Sequence, residues 1–479
     1  MLGRFLRDSV IYSISAILSR GVSVILIPLY TRFLQPYEYG VFDLLMIAAT
    51  LANYLVSLEI SQGLARVYSE ARVESEKRAC VSAAAWFCIA AYTAFLFVGS
   101  VFSTDIARLL LGSPTWGDAV QSMIVAVAAN GIFFLLQDLL RWQLKPMKHA
   151  LASIAYSLTS AAVGAIAVAF LNAGVVGMLA GQIAGAVIGI FITWRNGSAL
   201  HWHWEFDRDK WKEMAKYSAP QVISSCTAYF ALYVDRLFIQ ETLSLDEVGI
   251  YGVGARIASI VALLMVGFQS GYIPIVFHNH AASETPPQMA RVFRYFLVAA
   301  IVVVLFLSGF SGEVLRILTT ERYFNAWQTI PILATGMLLA NMYIFAPGIF
   351  IARRTLIVAG INVGALCLTV AGNFILLPRF GAMGAAIAVL ITSTIVFLVY
   401  VYFNSRFYPI PFAWRRIALA VAAGAIVAVI LFDLQTHTGL WFFLGKAALF
   451  LIGVAVALKL LLDKAELKQA FATIKISRG

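Results

Sequence analysis

Apolar residues in this chain come in blocks of about twenty, separated by short polar or basic stretches, and they show neither strand alternation nor a single amphipathic stripe. Windows of that length give about fourteen blocks, at 10–30, 40–58, 81–102, 119–140, 151–171, 175–194, 218–239, 248–275, 293–310, 330–350, 355–377, 383–402, 417–431 and 440–462. A helix rises 1.5 Å per residue, so about twenty apolar residues cross the ~30 Å hydrocarbon core of a bilayer. The pattern therefore predicts an all-α polytopic membrane protein with about fourteen transmembrane helices.

Composition agrees and narrows the class. Of 479 residues, 61% are hydrophobic and 12% charged, with a mean hydropathy of +0.86. Such a chain has no room for a sizeable soluble domain, which excludes a cytosolic enzyme, a secreted disulfide scaffold and a nucleic-acid-binding domain. The four cysteines, Cys80, Cys88, Cys226 and Cys367, lie in or beside apolar blocks without CxxC or metal-ligand spacing, and read as small packing residues. The start, Met1-Leu-Gly-Arg-Phe-Leu-Arg7, carries signal-like charge. Its apolar run continues past Leu29 without a small-residue cleavage site, so it reads as a first transmembrane helix that stays.

The net charge of +11 is explained by topology. With the N-terminus inside, alternate connections collect about 26 of the 35 basic residues, including Arg66, Arg72, Lys77, Arg78, Lys145, Lys148, Arg195, Lys210, Lys216, Arg415 and Arg416. About five, Arg32, Arg108, Arg316, Arg322 and Arg379, fall on the other side. Both termini are expected in the cytoplasm, with the basic residues facing anionic lipid and no nucleic-acid partner required. The stretch 195–217, with His201-Trp-His-Trp204 and Asp207-Arg-Asp-Lys-Trp211, is the largest cytoplasmic connection and reads as a short interfacial helix. His201 and His203 with Glu205, or His278 with His280, lack a closing ligand set, so no metal site and no cofactor is expected.

The chain also repeats itself. Glu38-Tyr-Gly-Val-Phe42 matches Glu247-Val-Gly-Ile-Tyr251, and Arg7-Asp-Ser9 matches Lys216-Tyr-Ser218, at an offset of about 209 residues. Ala173-Gly-Val-Val-Gly177 matches Phe380-Gly-Ala-Met-Gly384 at an offset of about 207. Spans one to six therefore recur as seven to twelve, giving an N-terminal six-helix bundle over 1–205, a second over 206–410, and two added helices with a tail over 411–479. Six is even, so the repeats are parallel, as in alternating-access transporters whose halves enclose a central cavity. Pro28, Pro274 and Pro347 inside spans are compatible with backbone lining such a cavity.

Two arginines are not excused by topology. Arg20 lies ~18 Å beyond Asp8 and Arg256 ~14 Å beyond Glu247, which places both near the middle of the bilayer. Each costs about 2.5–3.5 kcal/mol there, and neither has an acid at i±3 or i±4. They are the candidate substrate-binding residues, a cationic patch for an anionic ligand, unless interhelical carbonyls or Asp43 satisfy them. Asp43, Asp235, Arg236, Asp138 and Arg141 are gate or ion-coupling candidates; Asp138 and Arg141 also have the i,i+3 spacing of a helix-end ion pair. Glu59 reads as a membrane-end residue.

Three segments carry a family likeness: Thr31-Arg-Phe-Leu-Gln-Pro-Tyr-Glu-Tyr-Gly40, Asp235-Arg236 followed by Glu247-Val-Gly-Ile-Tyr251, and Leu377-Pro-Arg-Phe-Gly-Ala-Met-Gly-Ala-Ala386. In these the sequence resembles the Wzx-type polysaccharide flippases of the multidrug/oligosaccharidyl-lipid/polysaccharide exporter superfamily, over spans one to twelve. The resemblance implies a MATE-like fold and movement of undecaprenyl-diphosphate-linked oligosaccharide across a bacterial inner membrane for surface polysaccharide synthesis. It also implies a lipid-linked substrate, with a polysaccharide polymerase and a chain-length regulator as partners. Related lipid II flippases carry cavity arginines on their first and eighth helices, and Arg20 and Arg256 match those placements. An ion-coupled drug/cation antiporter of the same fold and a lipid II flippase remain alternatives. The chain reads as a transporter and not an enzyme. It contains no G-x-x-x-x-G-K-[ST] loop, so an ion gradient rather than ATP is the expected energy source.

Overall fold

The computed structural model describes residues 21–198, 204–262, 282–352, 354–437 and 439–463, with isolated positions at 11, 15, 17–19, 264, 265, 269, 272, 276 and 466. Among the described residues there is no strand, and twelve helices are long and apolar enough to cross a membrane. The other two expected spans, 10–30 and 248–275, run through positions outside the described residues. The same is true of Arg20, Pro274 and the pairs His201/His203 and His278/His280. Among the described residues no group of His, Cys, Asp and Glu has metal-holding geometry.

The helices in chain order are α1 (Ile27–Phe33), α2 (Pro36–Ser57), α3 (Ile60–Glu70), α4 (Glu74–Val101), α5 (Ser103–Leu111), α6 (Gly117–Trp142), α7 (Pro146–Ala169), α8 (Gly174–Thr193) and α9 (Arg208–Thr242). They continue with α10 (Leu245–Ala258), α11 (Thr285–Leu318), α12 (Ile330–Asn341), α13 (Gly348–Ile351), α14 (Thr355–Phe380), α15 (Ala382–Phe407), α16 (Trp414–Asp433) and α17 (Leu440–Leu461). The chain packs as two compact units, residues 1–252 with 362–381, and 253–361 with 382–479. These units follow packing; the boundaries at 205 and 410 follow the sequence repeat.

The matched segments of the repeat have matching local structure. α2 starts with a capping box in which the backbone N–H of Gln35 donates to Glu38 at 2.8 Å, and α10 starts with the Glu247 N–H donating to Ser244 Oγ at 3.2 Å. Each cap removes an orphan donor at a helix start. A left-handed glycine marks the start of α8 and of α15, Gly174 at φ 51° as the first residue of α8 and Gly381 at φ 59° immediately before α15.

In the first unit α7 and α8 lie close because α8 has glycine at every fourth position. A Cβ on Gly181 would sit 2.5 Å from the Ser160 carbonyl oxygen, and one on Gly185 2.7 Å from that of Tyr156. Small residues at this spacing let membrane helices pack by van der Waals contact where no hydrophobic force drives them together. Of the interfacial helix expected over 195–217, the described residues 208–217 form no separate element. Residues 208–217 are instead the first turns of α9, which runs unbroken for 35 residues. Asp207 starts it as a strong N-cap, accepting from the backbone of Asp209 and Lys210 at 3.0 and 2.9 Å.

In the second unit the expected span 330–350 is broken into α12, a 3-10 turn over Met342–Phe345, and the short α13. The break falls at Pro347, and the Gly348 N–H freed there donates to the buried Asn404 side chain at 2.8 Å, as the bilayer interior demands. The added helices α16 and α17 are fastened along α11. At one end Lys446 of α17 hydrogen-bonds Glu313, and Gln435 accepts from Ser311 and the Gly312 N–H at 3.0 and 2.8 Å. At the other, Arg294 of α11 reaches Asp463 and Glu466 at 3.3 and 3.1 Å, and Arg416 of α16 reaches Asp463 at 2.6 Å.

Candidate functional site

Two polar sites lie within the first unit. The first is a sealed charge knot. Asp235 is seven residues before the end of α9, Asp43 seven residues after the start of α2, and Tyr251 six after the start of α10. At 1.5 Å per residue all three sit ~10 Å from a helix end. Arg236 is 4% exposed and Asp235 1%. The guanidinium donates to both Asp235 oxygens at 2.8 and 3.0 Å and to Asp43 at 3.3 Å. The Tyr251 hydroxyl donates to Asp235 at 2.5 Å, and the rings of Tyr233 and Tyr251 flank the guanidinium at 5.0 and 5.1 Å. Among the described residues one guanidinium thus meets two carboxylates in a largely buried setting. Such a cluster is tolerated only while every member keeps its partners.

The knot sits beside the crossing of the two repeated motifs. A Cβ on Gly40 would lie 2.1 Å from the carbonyl oxygen of Leu245, and one on Gly249 1.9 Å from that of Pro36. The four positions are related by the repeat offset, so the contact is reciprocal: each glycine receives the first turn of the other helix. Next to it, Asp43 lies 3.1 Å from where a Cβ of Gly252 would be. The glycines of the Glu-x-Gly-x-aromatic motif therefore serve close approach, and its second aromatic, Tyr251, serves the knot.

The second site is a cavity of about 180 Å³ between α2, α3, α4 and α6, lined among others by Asn53, Tyr54, Glu59, Gln62, Tyr92 and Asp138. Two consecutive left-handed residues, Leu58 and Glu59, both at φ 50°, separate α2 from α3 and leave Glu59 on the cavity wall. The buried Tyr92 hydroxyl bonds to Asn53, and Ser61 lines the same space as Asp138. Arg141 instead lies exposed, over the Trp142 ring at 5.5 Å. Among the described residues no ion pair joins Glu59 or Asp138 to a cation.

Arg256 is half-buried on α10, five residues beyond Tyr251, and its carbonyl accepts from Ser259 at 2.6 Å. The structure thus brings Asp43, Asp235 and Arg236 together and places Asp138 apart from them. Sequence reasoning passed over Tyr233 and Lys446, took Tyr251 only as part of a repeated motif, and read Glu59 only as a membrane-end residue. Lys446 was open to detection by the test applied to Arg20, being a lone base well inside the apolar block 440–462.

These helices adopt a fold of the MurJ and MATE type. The lipid II flippase MurJ in its inward closed conformation superposes with a TM-score of 0.73, at 14% identity, over 94% of this chain and 97% of that one. An inward-facing multidrug resistance MATE transporter gives 0.64 at 11% identity, over 81% and 94%. Residues 5–280, more than half of the chain, match the family described as polysaccharide biosynthesis protein, and the chain belongs to that family. A curated relative, the Haloferax volcanii protein "Probable low-salt glycan biosynthesis flippase Agl15", is 23% identical over 232 residues, 48% of this chain and 49% of that protein. The match thus spans about half the length of that relative.

Proposed function

We propose that this protein is a flippase that carries undecaprenyl-diphosphate-linked oligosaccharide from the cytoplasmic to the outer leaflet of a bacterial inner membrane. The family match over residues 5–280 carries this reading. The MurJ-like fold supports it, since the same helical plan accommodates movement of a bulky lipid-linked head group. Both termini are cytoplasmic in this proposal, from the bias of the basic residues. The glycan goes on to a polysaccharide polymerase and a chain-length regulator.

Arg20 and Arg256 take the substrate diphosphate. A guanidinium matches phosphate oxygens in a bidentate, charge-assisted geometry, and the cost of holding a cation at membrane depth is offset when the anion enters. The Asp43–Arg236–Asp235 knot is the candidate for gating or ion coupling. The test is deletion of the gene with analysis of surface glycan, then complementation. Arg20→Ala and Arg256→Ala should each abolish export at normal protein abundance, and lysine at either position should rescue only in part. Normal glycan in the double alanine variant would overturn the assignment of the arginines. Unchanged surface glycan on deletion of the gene would overturn the function.

A further inference from the structure

We propose that the cavity enclosed by Glu59, Asp138, Asn53 and Tyr92 is a subsite for one uncharged or amino sugar residue of the transported glycan. The inference rests on the flippase reading and adds a specificity to it. The cavity has the inventory that a sugar ring needs. Glu59 and Asp138 are acceptor-only groups that hydroxyls can approach, and among the described residues no cation is paired with either. Asn53 and Gln62 add amides that can donate and accept. Tyr54 and Phe134, which also line the space, supply flat faces for the apolar side of a pyranose.

Size and charge narrow the occupant. About 180 Å³ is several times the ~30 Å³ share of one water, so the space suits a ring better than a lone desolvated cation. Two acidic side chains with no cation at ion-pair distance among the described residues disfavour a phosphate or a uronic acid, which points to neutral sugars and amino sugars. Position fits as well. Asp138 is 21 residues into α6 and Glu59 lies just past the end of α2, so both are ~30 Å from the opposite ends of their helices. That is the membrane face the basic residues assign to the cytoplasm, where the glycan head is loaded. The left-handed pair Leu58–Glu59 holds one carboxylate at the wall, a strained arrangement of the kind that persists where surrounding structure fixes it.

The full-length protein in nanodiscs, titrated with short-chain polyprenyl diphosphates, tests the proposal. The probes are polyprenyl diphosphate alone and the same lipid bearing N-acetylglucosamine or glucuronic acid. Wild-type protein should bind the N-acetylglucosamine lipid about tenfold more tightly than the bare lipid, the worth of one or two well-placed hydrogen bonds. The glucuronic acid lipid should gain nothing. In Glu59→Gln with Asp138→Asn the sugar increment should vanish while affinity for the bare lipid is kept. If that double variant does not fold, Gln62→Trp, at an exposed rim position, should narrow the cavity and erase the same increment. Equal wild-type affinity for sugared and bare lipid would overturn the subsite and leave the flippase reading standing. Sodium-dependent or proton-dependent binding of the bare lipid that disappears in the double variant would make the cavity a cation site and overturn it too. Failure of all three lipids to bind would instead count against the flippase reading itself.

Discussion

The knot at Arg236 and the cavity at Asp138 contain the same acidic chemistry in one packing unit, yet differ in whether their charges are spoken for. In the knot, Asp43 and Asp235 bond one guanidinium, Tyr251 adds a second donor to an Asp235 oxygen, and two rings close the sides. In the cavity, Asp138 and Glu59 both line open space, and among the described residues neither has a cation at ion-pair distance. A saturated cluster gains its worth from being kept intact, so its residues act as a fastening. An unsaturated one is held ready for something that is not part of the chain. Charged groups inside membrane proteins are usually treated as one class, and these two sites separate it by bonding rather than by charge.

The largest effect should come from opening the knot. Arg236→Met leaves two buried carboxylates without a cation and should lower stability by about 3–5 kcal/mol, read as a fall in the thermal midpoint of the detergent-solubilised protein. Adding Asp43→Asn and Asp235→Asn should recover most of that loss, because the cost lies in the orphaned charge. A triple variant no more stable than Arg236→Met would show that packing alone matters there. Next in size is the glycine crossing. Gly249→Leu must push α10 off the first turn of α2, since even a Cβ would meet the Pro36 carbonyl oxygen at 1.9 Å. A loss of about 1–3 kcal/mol is expected from overpacking, with Gly40→Leu close to it because the contact is reciprocal. A wide difference between the two would disprove the symmetry. The cavity should respond in the opposite sense: Glu59→Gln with Asp138→Asn removes no ion pair and should change stability by less than about 0.5 kcal/mol, or raise it. A loss comparable to that of Arg236→Met would erase the distinction between the sites.

How much of this could be read in advance depended on whether a feature is local. The spans were legible because twenty apolar residues in a row have one stable destination, and the repeat because matched helices keep matched caps and turns. Asp43, Asp235 and Arg236 stood out one by one as charges in apolar blocks. Their union did not, because it needs two helices, α2 and α9, whose charges are almost two hundred residues apart, and Arg20 was a nearer option for Asp43. Asp138 was drawn to Arg141 by i,i+3 spacing. The actual neighbourhood is set by the left-handed break at Leu58–Glu59, two non-glycine residues that give no sequence sign of that conformation. The interfacial helix expected over 195–217 went wrong at its start: Asp207 followed by helix-forming residues is an N-cap for the long α9.

The exposed clasp at the foot of the added helices marks the small end of the scale. Asp463 accepts from Arg416 and Arg294, and these hydrogen bonds hold its pKa below the ordinary aspartate value. The folded state therefore binds fewer protons at this group than the unfolded chain. Its contribution is complete above the unfolded aspartate value of about 3.9 and is lost as pH falls through the lower folded value. Because Asp463 is fully open to water, salt screens the clasp and its worth is slight. The thermal midpoint should not respond to this group between pH 7 and pH 5. Asp463→Asn should lower it slightly in that range, and the gap to wild type should close on acidification below about pH 4 or in about 1 M salt. Superposable melts of wild type and Asp463→Asn at pH 7 and low salt would show that the clasp contributes nothing, leaving Lys446–Glu313 and Gln435 to hold the added pair against α11. A gap as wide as that caused by Arg236→Met would mean instead that exposure does not weaken a charge pair in this protein, and that the knot is not special for being buried.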